Sequence, residues 1–338
     1  MLKIACQEQL LPGETLQEKW EFAQDAGYDA VELRARGAFH FRDRLPELRE
    51  ARADGVVMPT VCVDMLHFFG AFDDDLRRDA IEQLKSQLSV IGELGGLGAQ
   101  TPASYGMFSR RLPPFEPPRS EERDREVLLE GLVELGEHAR SEGVTLFLEP
   151  LNRYEDHMVN RLEQAASLIR AVGLDSVRIG VDSYHMNIEE TDPAAAVLAA
   201  ASLVGHAQVS DSNRMQPGAG HLDWPAWLGA LDAIGYDGYL AVECRLTGDP
   251  VQAVRSIPSF LRRASFPHRP SPSPSSSLSS SPLPSSSPSP SRQPSPSRQP
   301  SSSHQPSPTH QPPSSHRPSP SHQPSSSHRP SFPHRPAG

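Results

Sequence analysis

Eight short aliphatic runs, regularly spaced and separated by longer amphipathic stretches, constrain this chain more than any other feature. The runs are residues 2–7, 30–34, 59–63, 98–103, 146–151, 178–183, 206–211 and 239–244. Helix-like segments lie between them. "ETLQEKWEFAQDAG" ends at Gly27, and "DLRRDAIEQLKSQLSVIGELG" has apolar residues at helical spacing. "SEERDREVLLEGLVELGEHARSEG" opens on a Ser followed by acids, a helix-start signature. "LEQAASLIRAVG", "DPAAAVLAAAS", "DWPAWLGALDAIG" and "DPVQAVRSIPSFLRR" follow the same rule. Strand–helix alternation with no room for hairpins predicts a parallel sheet. Eight units in about 260 residues match an α/β fold of the (β/α)8 TIM-barrel kind in count and length. No GxGxxG follows the first run, which leaves an open dinucleotide-binding sheet without support.

One barrel domain over residues 1–265 is therefore expected. From residue 266 to 338 the composition collapses to Ser, Pro, His, Arg and Gln in degenerate "PSRQPS"-like repeats. Such a tail has too little apolar surface to form a core and is expected to be disordered. Six of the 32 Lys and Arg residues lie in it, with no acid, so the first 265 residues carry 26 basic against 42 acidic side chains. That balance of −16 argues against nonspecific binding to nucleic acid or to anionic membranes. Cys6, Cys62 and Cys244 are widely spaced and odd in number, without a CxxC. They predict buried free thiols in a reducing compartment, with the cytoplasm as default. No run approaches membrane-spanning length.

Strand parity locates the chemistry. Leu146 and Leu148 share a face opposite Glu149; Ile179 and Val181 lie opposite Asp182; Val209 lies opposite His206 and Gln208; Leu240 and Val242 lie opposite Glu243. Val31 and Leu33 likewise lie opposite Glu32. In a barrel the aliphatic face meets the helices, and the polar residues converge at the C-terminal mouth. Glu149, Asp182, Gln208 and Glu243 then end four consecutive strands. Three converging carboxylates repel unless something positive compensates them. A divalent cation is the simplest answer, and an oxygen-rich ligand set favours Mn²⁺, with Mg²⁺ or Co²⁺ as alternatives.

"GYDAVELR", "LFLEPLNRYE", "GVDSYHMNIEE", "VSDSNRMQPGAGHLDW" and "GYLAVECR" together resemble the sugar isomerase/epimerase superfamily of xylose isomerase-like barrels. "EPLNRYE" and "DSNR…PGAGHLDW" are most similar to ketose 3-epimerases of the tagatose/psicose type. The resemblance implies a metal held by Glu149, Asp182, position 208 and Glu243. Glu149 and Glu243 would also be the two acid–base groups, and Glu155, His185 and Arg214 would contact substrate. The family usually places His where this chain has Gln208. Three readings stay open: Gln208 ligates through its amide oxygen, His206 takes over from about 6–7 Å deeper in the strand, or the metal is lost.

The implied activity is inversion at C3 of a ketose, free or phosphorylated, through a metal-stabilised enediolate. One carboxylate removes a proton from the carbon beside the ketone; the other returns one on the opposite face. The same equipment working on one face would give aldose–ketose or hydroxypyruvate-type isomerisation. A non-catalytic sugar-binding barrel is the reading from a different class. Glu32 is expected to end the second strand and receive a substrate hydroxyl or hold Arg34. Arg153 is a candidate for an anionic substrate group, and Phe68 and Phe69 for a roof over the pocket. The expected partner is a small sugar or sugar phosphate, with no nucleic acid and no membrane, and a homo-oligomer (dimer or tetramer) is the candidate assembly.

Overall fold

The computed structural model describes residues 2–106 and 117–265. The tail expected over 266–338 lies outside the described residues. The eight strands are β1 (Lys3–Gln7), β2 (Ala30–Arg36), β3 (Thr60–Asp64), β4 (Gly98–Pro102), β5 (Thr145–Glu149), β6 (Val177–Asp182), β7 (Val204–Val209) and β8 (Tyr239–Val242). They pair in chain order as a closed parallel barrel. The ring shuts where Lys3 to Cys6 of β1 lie beside Tyr239 to Val242 of β8. The TIM-barrel expectation holds, and all eight runs are strands.

The helices are α1 (Leu16–Ala26), α2 (His40–Asp43), α3 (Leu45–Ala53), α4 (Asp74–Glu93), α5 (Glu121–Ser141), α6 (Leu162–Val172), α7 (Ser183–Glu189), α8 (Pro193–Ala200), α9 (Trp224–Ala233) and α10 (Pro250–Ser265). Their ends follow local chemistry. Thr15 and Glu18 close a capping box at the start of α1, and Gly27 ends it in the left-handed region, at φ 91°. Ser120 caps α5, and Asp73, Asp192 and Asp223 cap α4, α8 and α9 through their side-chain oxygens. In α4 the buried Ala80, Leu84, Leu88 and Ile91 form one stripe against the barrel.

Three features differ from the sequence reading. The seven-residue α7 directly after β6 is not anticipated. The β2–β3 connection carries α2 and α3, where no helix is apparent in the pattern. And β2 runs on to Arg36, so Glu32 is mid-strand rather than at a strand end.

Polar side chains of non-adjacent strands meet inside the ring. Gln208 on β7 donates to Glu32 on β2, and Gln100 on β4 donates to Gln208. Only the barrel interior lets these strands touch, because β7 pairs with β6 and β8 alone. The strands' polar face therefore points inward, as parity predicts.

Candidate active site

A cavity of about 570 Å³ opens at the C-terminal ends of the strands. Its size is that of a small-molecule site. Glu149, Glu155, His185, Arg214 and Glu243 line it, and Glu149 and Asp182 stand at the last positions of β5 and β6. Glu243 immediately follows β8.

Glu149 is buried, and its Oε1 has no hydrogen-bond partner. Burial, then the charges of Glu243 and Asp182, push its carboxyl well above the usual range; Arg214 and a hydrogen bond from Gln100 oppose this. Burial also drives Glu243 up to about 7, with Asp182 and Glu32 adding and Arg214 subtracting. Glu243 Oε2 lies 3.0 Å from Arg214 Nη2 but makes no hydrogen bond. Asp182 behaves in the opposite way. Burial works against its ionised form, but the adjacent Arg214 guanidinium and donated hydrogen bonds hold it below the usual carboxylate range. Its Oδ2 accepts from Arg214 Nη1 at 2.5 Å, while Oδ1 accepts from the backbone of Tyr184 at 2.7 Å and caps α7.

Arg214 thus sits between two of the three carboxylates, stacked over Tyr184 at 4.9 Å. Its backbone is in the left-handed region at φ 62°, an uncommon conformation for a side chain of this size. The loop that holds it there is built on Asp211. That carboxylate accepts from the backbone of Ser212, Gly218 and Leu222 and from Trp224 Nε1. The "DSNR…PGAGHLDW" stretch is therefore one folded unit whose product is the position of Arg214.

His185 is almost fully buried, and its Nδ1 accepts from the backbone N–H of Asn152 at 3.1 Å and from Asn152 Nδ2 at 2.9 Å. A backbone N–H only donates, so Nδ1 carries no proton and the hydrogen is on Nε2. Nε2 lies 3.7 Å from Glu149 Oε1 and 3.9 Å from Glu155 Oε2. Burial pushes the imidazolium down to about 4. His185 thus presents one fixed N–H donor to the cavity.

The described residues contain one group of metal-ligand type within mutual reach, Glu149, Asp182 and His185. The tautomer of His185 makes it a poor ligand, because Nε2 is protonated. The carboxylates fit a cation better: Glu149 Oε1 and Glu243 Oε2 are buried oxygens without hydrogen bonds, and Asp182 joins them through Arg214. Hard oxygen donors of this kind suit a divalent cation of the Mn²⁺ or Mg²⁺ class.

Gln208 is fully buried with both amide ends engaged, by Gln100 and by Glu32. His206 is paired with Glu32 at 2.7 Å and stacks on Phe147 at 5.2 Å. Glu32 is also fully buried; it does not line the cavity, and Arg34 pairs instead with Asp64 at 2.8 Å. Arg153 is turned to Glu189, 2.8 Å away, and is absent from the cavity wall. Phe68 lines the cavity, whereas Phe69 packs against Gly131 of α5. All three cysteines are free, but only Cys6 is fully buried; Cys62 and Cys244 line the cavity. Asp211 and Asn152 lie within the quoted motifs, but no role is legible for them, and nothing in a lone Gln such as Gln100 marks it as a hub.

The family described as xylose isomerase-like TIM barrel matches residues 20–264. The chain is 36% identical over 263 residues to the 3-dehydro-D-guloside 4-epimerase of Escherichia coli (strain K12), which covers 77% of this chain and 99% of that protein. It is 32% identical over 231 residues to the D-psicose 3-epimerase of Enterocloster bolteae, 64% of this chain and 72% of the relative. A crystal structure of a 3-keto-D-glucoside 4-epimerase from E. coli superposes with a TM-score of 0.73 at 36% identity, covering 78% of this chain and 99% of that one. No described helix is long and apolar enough to cross a membrane.

Proposed function

The chain belongs to the xylose isomerase-like TIM barrel family, and from that premise we propose that it is a metal-dependent sugar epimerase inverting a carbon next to a ketone. The observation that carries this reading is the pair of carboxyls lining one cavity, the buried Glu149 and the partly buried Glu243, both held above the usual carboxylate range, Glu243 at about 7, where a group takes and returns protons near neutral pH. Glu149 ends β5 and Glu243 directly follows β8, and both line the one cavity.

A divalent cation, Mn²⁺ first, held by Glu149, Asp182, Glu243 and the amide oxygen of Gln208, would polarise the ketone oxygen and so acidify the neighbouring C–H. The rest falls to the chain's own side chains. One of the two glutamates takes the proton; the C–H electron pair moves into the carbon skeleton and onto the ketone oxygen. The second glutamate delivers its proton to the opposite face of the same carbon, and the configuration inverts. Each turnover leaves one carboxyl protonated and the other not, and exchange with solvent resets them. The Nε2–H of His185 donates to a substrate oxygen, and Glu155 accepts from a hydroxyl. Arg214 offsets negative charge beside Asp182 and Glu243.

In a ketose the inverted carbon is C3. In a 3-keto glycoside it is C4, and the similarity to an E. coli protein named for that reaction supports testing this substrate class first. With Arg153 committed to Glu189, a phosphate group has lost its expected partner, which favours an unphosphorylated sugar. The free cysteines support a cytoplasmic setting.

The test is solvent exchange. The Mn²⁺-loaded protein is incubated in D₂O with a 3-keto glycoside and, separately, with D-fructose, D-tagatose and L-ribulose. Deuterium at the carbon next to the ketone, together with the epimeric sugar, supports the proposal. Deuterium at C1 or C2 with an aldose product makes the protein an isomerase. Sugar binding without exchange at any carbon makes it a non-catalytic barrel.

A further inference from the structure

Within the barrel interior lies a buried polar layer that the acid–base chemistry does not use. Glu32 is at its centre and accepts four hydrogen bonds. Oε1 takes them from His206 Nε2 at 2.7 Å and Thr60 Oγ1 at 2.9 Å; Oε2 takes them from Gln7 Nε2 at 3.1 Å and Gln208 Nε2 at 2.9 Å. A carboxylate with this many donors around it stays ionised and only accepts. Gln208 therefore presents its NH₂ to Glu32, and its carbonyl oxygen must face the other way. There it meets the NH₂ of Gln100, the same side chain whose hydrogen bond lowers Glu149. The carbonyl end is thus the end turned toward the carboxylate cluster.

We infer that Glu32, braced by His206, is a positioning residue that turns Gln208 so that its amide oxygen, and not its nitrogen, is offered to the cation. The inference rests on the reading of Gln208 as an oxygen ligand. An amide has two nearly isosteric ends, of which only the oxygen has a lone pair to give a metal. A glutamine placed at the end of a strand does not choose between them by itself. Here the reversed amide would set its oxygen against the Glu32 carboxylate and its NH₂ against that of Gln100. Two acceptors and two donors would then face each other in a dry interior, each unsatisfied. The clamp also lets a glutamine serve at a position where the resemblance implies a histidine. A carboxylate that accepts an N–H orients either side chain, as it does for metal-binding histidines generally.

The test is Mn²⁺ affinity of the full chain in the absence of sugar, read from the loss of the free-ion electron paramagnetic resonance signal. Glu32→Gln replaces an acceptor-only group by one that pairs with either end of Gln208. We expect it to weaken Mn²⁺ binding about 10–100-fold, as does Gln208→Ala. In the Gln208→Ala background no amide remains to be turned. Adding Glu32→Gln there is expected to change affinity by less than about 3-fold, well short of that loss. A lowered melting temperature with unchanged Mn²⁺ affinity in Glu32→Gln would make Glu32 a packing residue and overturn the inference. Loss in Gln208→Ala without loss in Glu32→Gln overturns it while leaving Gln208 a ligand. Unchanged affinity in Gln208→Ala removes the ligand itself, and the inference with it. Should Glu32→Gln give no soluble protein, Glu32→Asp carries the same test. Its shorter carboxylate no longer reaches Gln208, so a 10–100-fold loss is again expected, and full affinity overturns the idea.

Discussion

Glu149 and Glu243 are legible in the sequence because each breaks a rule: a carboxylate on the interior face of an otherwise aliphatic strand has to be compensated. Glu149→Gln and Glu243→Gln are each expected to lower solvent exchange at the substrate carbon about 10²–10⁴-fold, measured by NMR in D₂O. Exchange within a few-fold of the unsubstituted chain in either variant ends the two-base mechanism. Glu32 shows the limit of the same rule. It breaks the pattern too, but its strand continues past it, and parity gives the face of a residue, not its depth along the barrel. Gln100 breaks no rule at all, since an uncharged amide on a strand is unremarkable until its neighbours are known. Its importance is visible in Gly180, where β6 and β7 shift register. A Cβ at Gly180 would collide with the Gln100 amide, reaching 2.7 Å from its Cδ. Gly180→Ala is therefore expected to displace Gln100 and, through it, Glu149 and Gln208. The expected cost is about 1–3 kcal/mol of stability, with a fall of about 10-fold in Mn²⁺ affinity. Chemical denaturation and metal titration check the two separately, and an unchanged affinity means Gln100 does not support the site.

At the scale of elements, most of the capped helices are announced by the sequence; α7, capped by Asp182 at the end of β6, is not. Those that begin on Thr15, Asp73, Ser120, Asp192 and Asp223 are all visible before the structure is. The pair α2 and α3 is not. Phe39 opens α2 in the left-handed region at φ 61°, and neither helix has a side-chain cap; the signals that remain are the short stripe Leu45, Leu48, Ala51 and Pro46 and Glu47 in the first turn of α3. The loop after β7 is a middle case. Its prolines and glycines announce a turn, but not that Asp211 organises it. Gly220 has no room for a Cβ beside Asp211, and Gly218 sits at φ 95°. Asp211→Ala would leave the backbone N–H groups of Gly218 and Leu222 and the Trp224 indole without their common acceptor. We expect a loss of about 2–4 kcal/mol in stability, as several hydrogen bonds to one charge are removed. We also expect a drop in exchange rate of 10-fold or more in the protein that remains folded, because Arg214 is no longer held between Asp182 and Glu243. A variant as active as the parent per folded molecule would show that Arg214 finds its place without this loop.

The molecule as a whole carries its acid–base chemistry as a linkage between protonation, stability and metal. Glu149 and Glu243 have folded pKa values above the ordinary 4.5, Glu243 at about 7. Because the folded state binds more protons than the unfolded chain, their contribution is complete below about 4.5; that of Glu243 is lost as pH rises through about 7, and that of Glu149 as pH rises above the ordinary carboxylate range. His185 runs the other way: its folded value of about 4 lies below the ordinary 6.5, so it adds stability as pH rises across that interval and nothing further above it. Glu134, held at about 2 by Arg78 and Lys85, is likewise fully ionised above 4.5. Above pH 6.5 the carboxylate loss is the slope that remains, so the metal-free chain is expected to lose thermal stability between pH 6.5 and 8. On the proposed metal site a divalent cation is expected to reverse this, because an ion held by the ionised carboxylates competes with their protons and stabilises more where fewer protons are in the way. The rise in melting temperature on adding saturating Mn²⁺ is therefore expected to be larger at pH 8 than at pH 6, by about 5 °C for a domain of this size. Equal increments at the two pH values would mean that Glu149 and Glu243 are not among the groups that hold the ion.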